Sequence, residues 1–118
     1  DRVVANGDSA NKVGTYLKAL AARDNNIPFY IASPASTIDF GCPEGNGIPI
    51  ENRSADELRL ICAPDAAGHI QAVHLMPPRA PACNPAFDVT PARLITGIIT
   101  ERGIAAPGAL ASLFPEHS

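Results

Sequence analysis

The chain reads as an α/β domain with a parallel sheet that is incomplete on its N-terminal side, and three observations predict this. Arg2-Val3-Val4-Ala5 is a β-branched strand run ending in the turn residues Asn6-Gly7-Asp8. Apolar residues at helical spacing follow, from about Ser9 to Asp24. Pro28-Phe29-Tyr30-Ile31-Ala32-Ser33 is a second strand-like run. Strand, turn, helix and strand make a βαβ unit, whose crossover is expected to be right-handed. The chain opens inside a strand, with no lead-in and no initiator Met. That predicts a piece of a longer polypeptide, with another segment or chain covering the open sheet edge.

The elements follow in order. Asp8 or Ser9 is expected to cap the first helix, because either side chain accepts from a free backbone N–H. Val13, Leu17, Leu20 and Ala21 form its expected buried face, and Lys18 and Arg23 lie toward its negative end. Asn25-Asn26 stops it. Pro28 enters the next strand where no ladder donor is needed. Pro34 to Asn46 reads as a loop with a short ordered piece at Ser36-Thr37-Ile38-Asp39, and Ile48-Pro49-Ile50-Glu51 is extended. Ser54-Ala55-Asp56-Glu57 is a helix start or a one-turn helix, leading into the apolar run Leu58 to Cys62. His69 to Leu75 alternates as a short strand, and Pro77 to Pro81 is a surface loop. Phe87-Asp88-Val89 is a short strand. Thr90 as N-cap, Pro91 as first helical residue and the stripe Leu94, Ile95, Ile98, Ile99 predict a last helix ending at Gly103. From Pro107 to Ser118 the tail is expected to fray, with Leu110, Leu113 and Phe114 docking a last turn.

Composition removes several classes of function. A length of 118 residues suits one domain. The net charge of −3 and scattered Lys and Arg leave no basic field for nucleic acid or an acidic membrane. Aromatics are 5% and Trp is absent, which excludes a stacking platform for bases. Cys42, Cys62 and Cys83 are widely spaced, with no CxxC or CxxH pairing, so they read as buried or free thiols in a reducing compartment rather than zinc ligands. No apolar run is long enough to span a bilayer. His69 and His74 have no partner set and read as surface or strand residues.

The chemistry concentrates in the first turn. In open α/β sheets, ligands bind beyond the carboxyl ends of strands, where the next helix starts. Asn6 to Lys12 holds that position in the predicted order. Gly7 lets backbone approach a ligand closely. Free N–H groups, the positive helix end and the Lys12 charge favour an anion there, and a phosphate fits best. The spacing is neither GxGxxG nor GxxxxGK[ST], so neither a dinucleotide fingerprint nor a Walker loop is present.

The run Asp1-Arg2-Val3-Val4-Ala5-Asn6-Gly7-Asp8-Ser9-Ala10-Asn11-Lys12-Val13-Gly14-Thr15 closely resembles the signature of the methylthioribose-1-phosphate isomerases. That family shares a superfamily with ribose-1,5-bisphosphate isomerases and with the alpha, beta and delta subunits of eukaryotic translation initiation factor 2B. Three later segments agree in order: Ile27 to Asp39, Ile48 to Arg53, and Asn84 to Pro91. Ala63 to Ala82 departs from the pattern, being longer and richer in proline.

The resemblance implies a Rossmann-like C-terminal domain, with an N-terminal helical domain and the first strands lying outside residues 1–118. It implies a cytoplasmic homodimer of methionine salvage that converts 5-methylthioribose 1-phosphate to 5-methylthioribulose 1-phosphate. Asp1 matches the family's catalytic acid, and Asn11 and Lys12 match its substrate-binding pair. With Asn6 and Gly7 in the same turn, these are the candidate site residues. The family's catalytic Cys and an Arg-Gly-Ala segment belong upstream, so residues 1–118 alone are expected to be inactive. The substrate's phosphate sits on the anomeric carbon, so the ring cannot open as a free sugar does, and a general acid is required. A carboxyl at a strand end in an apolar pocket can hold that proton near neutrality. Hydrogen then moves between C2 and C1 as a proton through an enediol or as a hydride. No metal or redox cofactor is implied. Two other readings stay open: a ribose-1,5-bisphosphate isomerase, and a non-catalytic subunit like those of the initiation factor.

Overall fold

The computed structural model describes residues 1–117. The chain divides into two compact units: Asp1–Ile50 with the chain from Phe87 onward, and Glu51–Ala86.

The first unit carries two sheets. In one, β1 (Arg2–Val4) and β2 (Ser9–Lys12) form an antiparallel hairpin. β7 (Phe87–Thr90) pairs antiparallel with β2, and β4 (Ile38–Asp39) pairs parallel with β1, giving the order β4-β1-β2-β7. The second sheet has the order β3-β8-β9, from β3 (Tyr30–Ala32), β8 (Gly97–Thr100) and β9 (Gly103–Ala105). β3 and β8 are parallel, and β8 and β9 antiparallel. The fold is mixed α/β. The single long helix, α1 (Thr15–Asp24), leads from β2 in one sheet to β3 in the other. β1 and β3 therefore do not pair as the expected βαβ unit.

Two further expectations are corrected. Ser9–Lys12 is a strand, not the start of the helix, because the Asn6-Gly7-Asp8 turn reverses the chain. Val4 N–H donates to the Asp8 carbonyl at 3.0 Å, and Gly7 N–H to the Val4 carbonyl at 2.8 Å. Gly7 takes φ 89°, as a left-handed glycine closing a three-residue hairpin loop does. The helix starts six residues later, and its inward face shifts to Thr15 and Ala19, four apart. Val13 and Leu17 are exposed. The predicted last helix is replaced by a short 3₁₀ turn at Ala92–Leu94 and by β8. Its stripe of isoleucines is β-branched and suits a strand as well as a helix. The ladder with β3, Tyr30 to Gly97 through Ala32 to Ile99, decides it. Gly103, with φ 131°, turns β8 into β9 rather than ending a helix.

The main core of this unit gathers Val3, Ile95, Ile98, Leu110 and Phe114, with Phe29, Ile31, Ile38, Phe40 and Leu113 against it. Both sheets contribute, and so does the tail. Leu110 and Phe114 are 0% and 2% exposed, so the tail docks instead of fraying. Phe114 lies 5.4 Å from the Phe40 ring, with the Arg102 guanidinium 4.5 Å above its face. A smaller cluster of Val4, Ala10 and Ile48 fills the other side of the hairpin.

The second unit holds the one-turn helix α2 (Asp56–Arg59) and the hairpin of β5 (Leu60–Pro64) with β6 (Ile70–His74). Asp65 shapes the hairpin turn, accepting from the Ala67 and His69 N–H groups at 2.9 Å each. Arg53 grips both carboxylate oxygens of Glu57. Arg59 donates to the Ala80 carbonyl at 2.7 Å and so anchors the proline-rich loop.

Candidate functional site

The hairpin register places Asp1 beside Asn11 at its open end, with Arg2 opposite Ala10. The Asp1 nitrogen donates to Asn11 Oδ1 at 3.3 Å. A small cavity of about 90 Å³ opens there. Asp1, Asn11, Ser33 and Thr37 supply polar walls, and Val3 and Ile31 apolar ones. Asp1 itself is exposed, so residues 1–117 do not enclose it in the apolar pocket expected for a proton-holding carboxyl. Arg2 also borders the cavity and lies 3.5 Å from Asp39, with both side chains about 40% exposed. Such an exposed pair contributes little to stability.

Lys12 follows Asn11 on β2, opposite Phe87, and is exposed. Among the described residues no carboxylate stands within ion-pairing distance of it. Its side chain does not line the cavity. Because side chains alternate along a strand, Asn11 and Lys12 project to opposite faces of β2.

Asn6 and Gly7 lie at the other end of the hairpin, about 13 Å away at ~3.3 Å per strand residue. The structure does not bring them to Asp1. Asn6 closes the turn: its Oδ1 accepts from the Asp8 N–H, and its Nδ2 donates to Asp8 Oδ2, both at 2.9 Å. Gly7 is buried against Pro107, whose Cβ a methyl at Gly7 would meet at 2.4 Å. The close backbone approach that glycine permits here is to the protein's own tail.

Asp8 ties this turn to two distant loops. Its carboxylate accepts from Gly45 N–H at 2.9 Å and from Ala92 N–H at 2.7 Å. Burial pushes its carboxyl up. The hydrogen bonds from Ala92, Asn6 and Gly45 outweigh that and leave it below the ordinary aspartate value of 3.8.

The start of α1 is also occupied. Asp88, cross-strand from Asn11, accepts from Gly14 N–H at 2.7 Å and Tyr16 N–H at 3.1 Å. Gly14 precedes the helix with φ 101°, and no side chain from the helix's own first residues caps it. A carboxylate from a distant strand therefore fills the positive end that sequence reasoning assigned to a ligand phosphate. The start of α1 is therefore not open to an anion in the way the sequence suggested.

Ser33 and Thr37 were not singled out from the sequence as site residues. Ser33 directly follows β3, at the carboxyl end of a strand in a parallel pair, and that position is the signal that points to it. Cys42, Cys62 and Cys83 are free thiols, and no cluster of three or more His, Cys, Asp or Glu occurs among the described residues. No helix among the described residues is long and apolar enough to cross a membrane.

A carboxyl and a polar pair thus stand at the open end of a hairpin in a mixed α/β fold, and comparison with known proteins shows its family. The Initiation factor 2 subunit family matches residues 1–107, and the chain belongs to that family. Within it, the chain is 60% identical to the methylthioribose-1-phosphate isomerase of Brucella anthropi over 121 residues, covering 100% of this chain and 33% of that protein. It is 56% identical to the enzyme of the same name from Dechloromonas aromatica, with 100% and 33% covered. Among solved structures it resembles the 5-methylthioribose 1-phosphate isomerase of Pyrococcus horikoshii, at a TM-score of 0.80 and 44% identity, covering 98% of this chain and 31% of that one. It also resembles the delta subunit of translation initiation factor eIF-2B from A. fulgidus, at 0.79 and 32%, covering 96% and 31%. The chain spans about a third of the length of the curated relatives it matches.

Proposed function

We propose that the whole protein is an aldose–ketose isomerase that converts 5-methylthioribose 1-phosphate to 5-methylthioribulose 1-phosphate in methionine salvage, acting as a cytoplasmic homodimer. The observation that carries this reading is the placement of Asp1 and Asn11 on one cavity, with Lys12, which has no ion-pair partner among the described residues, next along β2. Asp1 serves as the general acid that protonates the ring oxygen, which lets the C1–ring oxygen bond break. Lys12 binds the phosphate-bearing end, and Asn11 binds the part of the substrate beside Asp1. The C2 hydrogen then passes to C1, and the C2 hydroxyl, becoming the ketone, releases the proton that restores the Asp1 carboxyl, so no external oxidant or reductant is consumed. Identity to proteins named as this isomerase, at 60% and 56%, supports the choice over the initiation-factor reading, whose solved relative stands at 32%.

The test uses the full-length protein with 5-methylthioribose 1-phosphate and, separately, ribose 1,5-bisphosphate. Turnover of the first alone is expected. Activity only on the bisphosphate, or none on either, overturns the proposal. Asp1→Asn is expected to abolish turnover while substrate binding persists. Lys12→Ala is expected to raise the dissociation constant by roughly 10- to 100-fold, the scale of a charge-assisted hydrogen bond. Unchanged turnover in Asp1→Asn removes that residue from the acid role.

A further inference from the structure

Ser33 presents a hydroxyl with an unmet need. Its Oγ is buried and has no hydrogen-bond partner among the described residues. Buried polar atoms without partners are few in native proteins, and each calls for an explanation. The backbone is not free to move the residue elsewhere, because Ser33 N–H donates to the Ile99 carbonyl at 3.0 Å and continues the β3–β8 pairing. The residue lines the same cavity as Asp1 and Asn11. It also lies just past the carboxyl end of β3, where α/β sheets bind ligands.

The contents of that cavity follow from its walls. Its volume of about 90 Å³ is well below the ~300–1,000 Å³ of a typical ligand pocket, so it takes part of a small ligand rather than a whole one. Lys12 does not line it, whereas Asp1 does. With Asp1, Asn11, Ser33 and Thr37 among its walls, the cavity suits the polyhydroxylated part of the substrate.

Resting on the isomerase reading, we infer that Ser33 is a substrate-binding residue whose hydroxyl pairs with a hydroxyl of the sugar portion in the cavity shared with Asp1 and Asn11. A serine hydroxyl both donates and accepts, and so does a sugar hydroxyl, which makes the pairing independent of which group gives the proton. Rotation about one side-chain bond is enough to aim it.

The experiment compares full-length wild type, Ser33→Ala and Ser33→Cys by steady-state kinetics and calorimetric binding with 5-methylthioribose 1-phosphate, and by thermal unfolding without ligand. Both variants are expected to lose three- to tenfold in kcat/KM, mostly through KM, the scale of one neutral hydrogen bond. The ligand-free midpoint of Ser33→Ala is expected to stay or rise, because an unpaired buried hydroxyl has been removed. A merely structural serine gives the opposite pattern: a lower midpoint with unchanged KM. An active wild type whose variants keep kcat/KM within 1.5-fold overturns the inference alone. A wild type that neither binds nor turns over the sugar phosphate overturns the functional reading and this inference with it.

Discussion

A few carboxylates determine most of the local geometry around the hairpin. Asp8 is the clearest. It accepts from one side-chain amide and two backbone N–H groups belonging to loops 37 and 84 residues away. Its folded carboxyl sits below the free value of 3.8, so the unfolded chain binds its proton more tightly. The contribution to stability is thus complete above about pH 4 to 5 and is lost as pH falls from 3.8 through the lower folded value. Urea midpoints at pH 6 and pH 3 check this: Asp8→Asn is expected to flatten the acid loss seen in wild type. At pH 6, Asp8→Ala is expected to cost about 2–3 kcal/mol, because two backbone donors lose a charged acceptor. Asp1 differs in kind. It is exposed, and its backbone nitrogen donates to Asn11 Oδ1.

At the scale of elements, the two ends of the hairpin differ. Its open end presents Asp1, Asn11 and Lys12, while its turn end is held by Asn6, Gly7 and Asp8. β7 then joins the site to the helix, because Asp88 stands opposite Asn11 and caps α1 two residues past Lys12. Asp88→Ala is expected to cost about 1–2 kcal/mol, the usual range for a lost helix cap. Amide exchange at Gly14 and Tyr16 is expected to accelerate more than at Ala19, in the middle of the helix. Equal acceleration along α1 would instead indicate general destabilisation. The Asn-Gly pair did signal a hairpin in the sequence. Reading Ser9 to Lys12 as helix gave too much weight to the apolar spacing that begins at Val13.

At the scale of the molecule, the first unit is held by one core to which both sheets and the tail contribute. Leu110 is 0% exposed within it, beside Ile98. Leu110→Ala is expected to cost about 2–5 kcal/mol, measured as a shift in the denaturant midpoint at constant slope. A loss below 1 kcal/mol would mean that the tail adds little to the core. The apolar residues Leu110, Leu113 and Phe114 were visible in the sequence as a docking turn. How deeply they pack was not, because burial depends on Phe29, Ile38 and Phe40, which are distant in the chain.

The sequence by itself determined the α/β class, the short elements of the middle and the family, because those rest on local turn chemistry and on ordered motifs. It also marked Asp1, Asn11 and Lys12 as a group. Only the tertiary structure decided that Ser9–Lys12 is a strand and that Gly97–Thr100 pairs with β3 instead of forming a helix. Both segments are short and β-branched or polar, so their own preferences are weak and long-range ladders select the outcome. The tertiary structure also gave the helix N-terminus to Asp88 and set Ser33 beside Asp1. These residues lie 32 to 74 positions from their partners, a separation that local sequence preference does not encode.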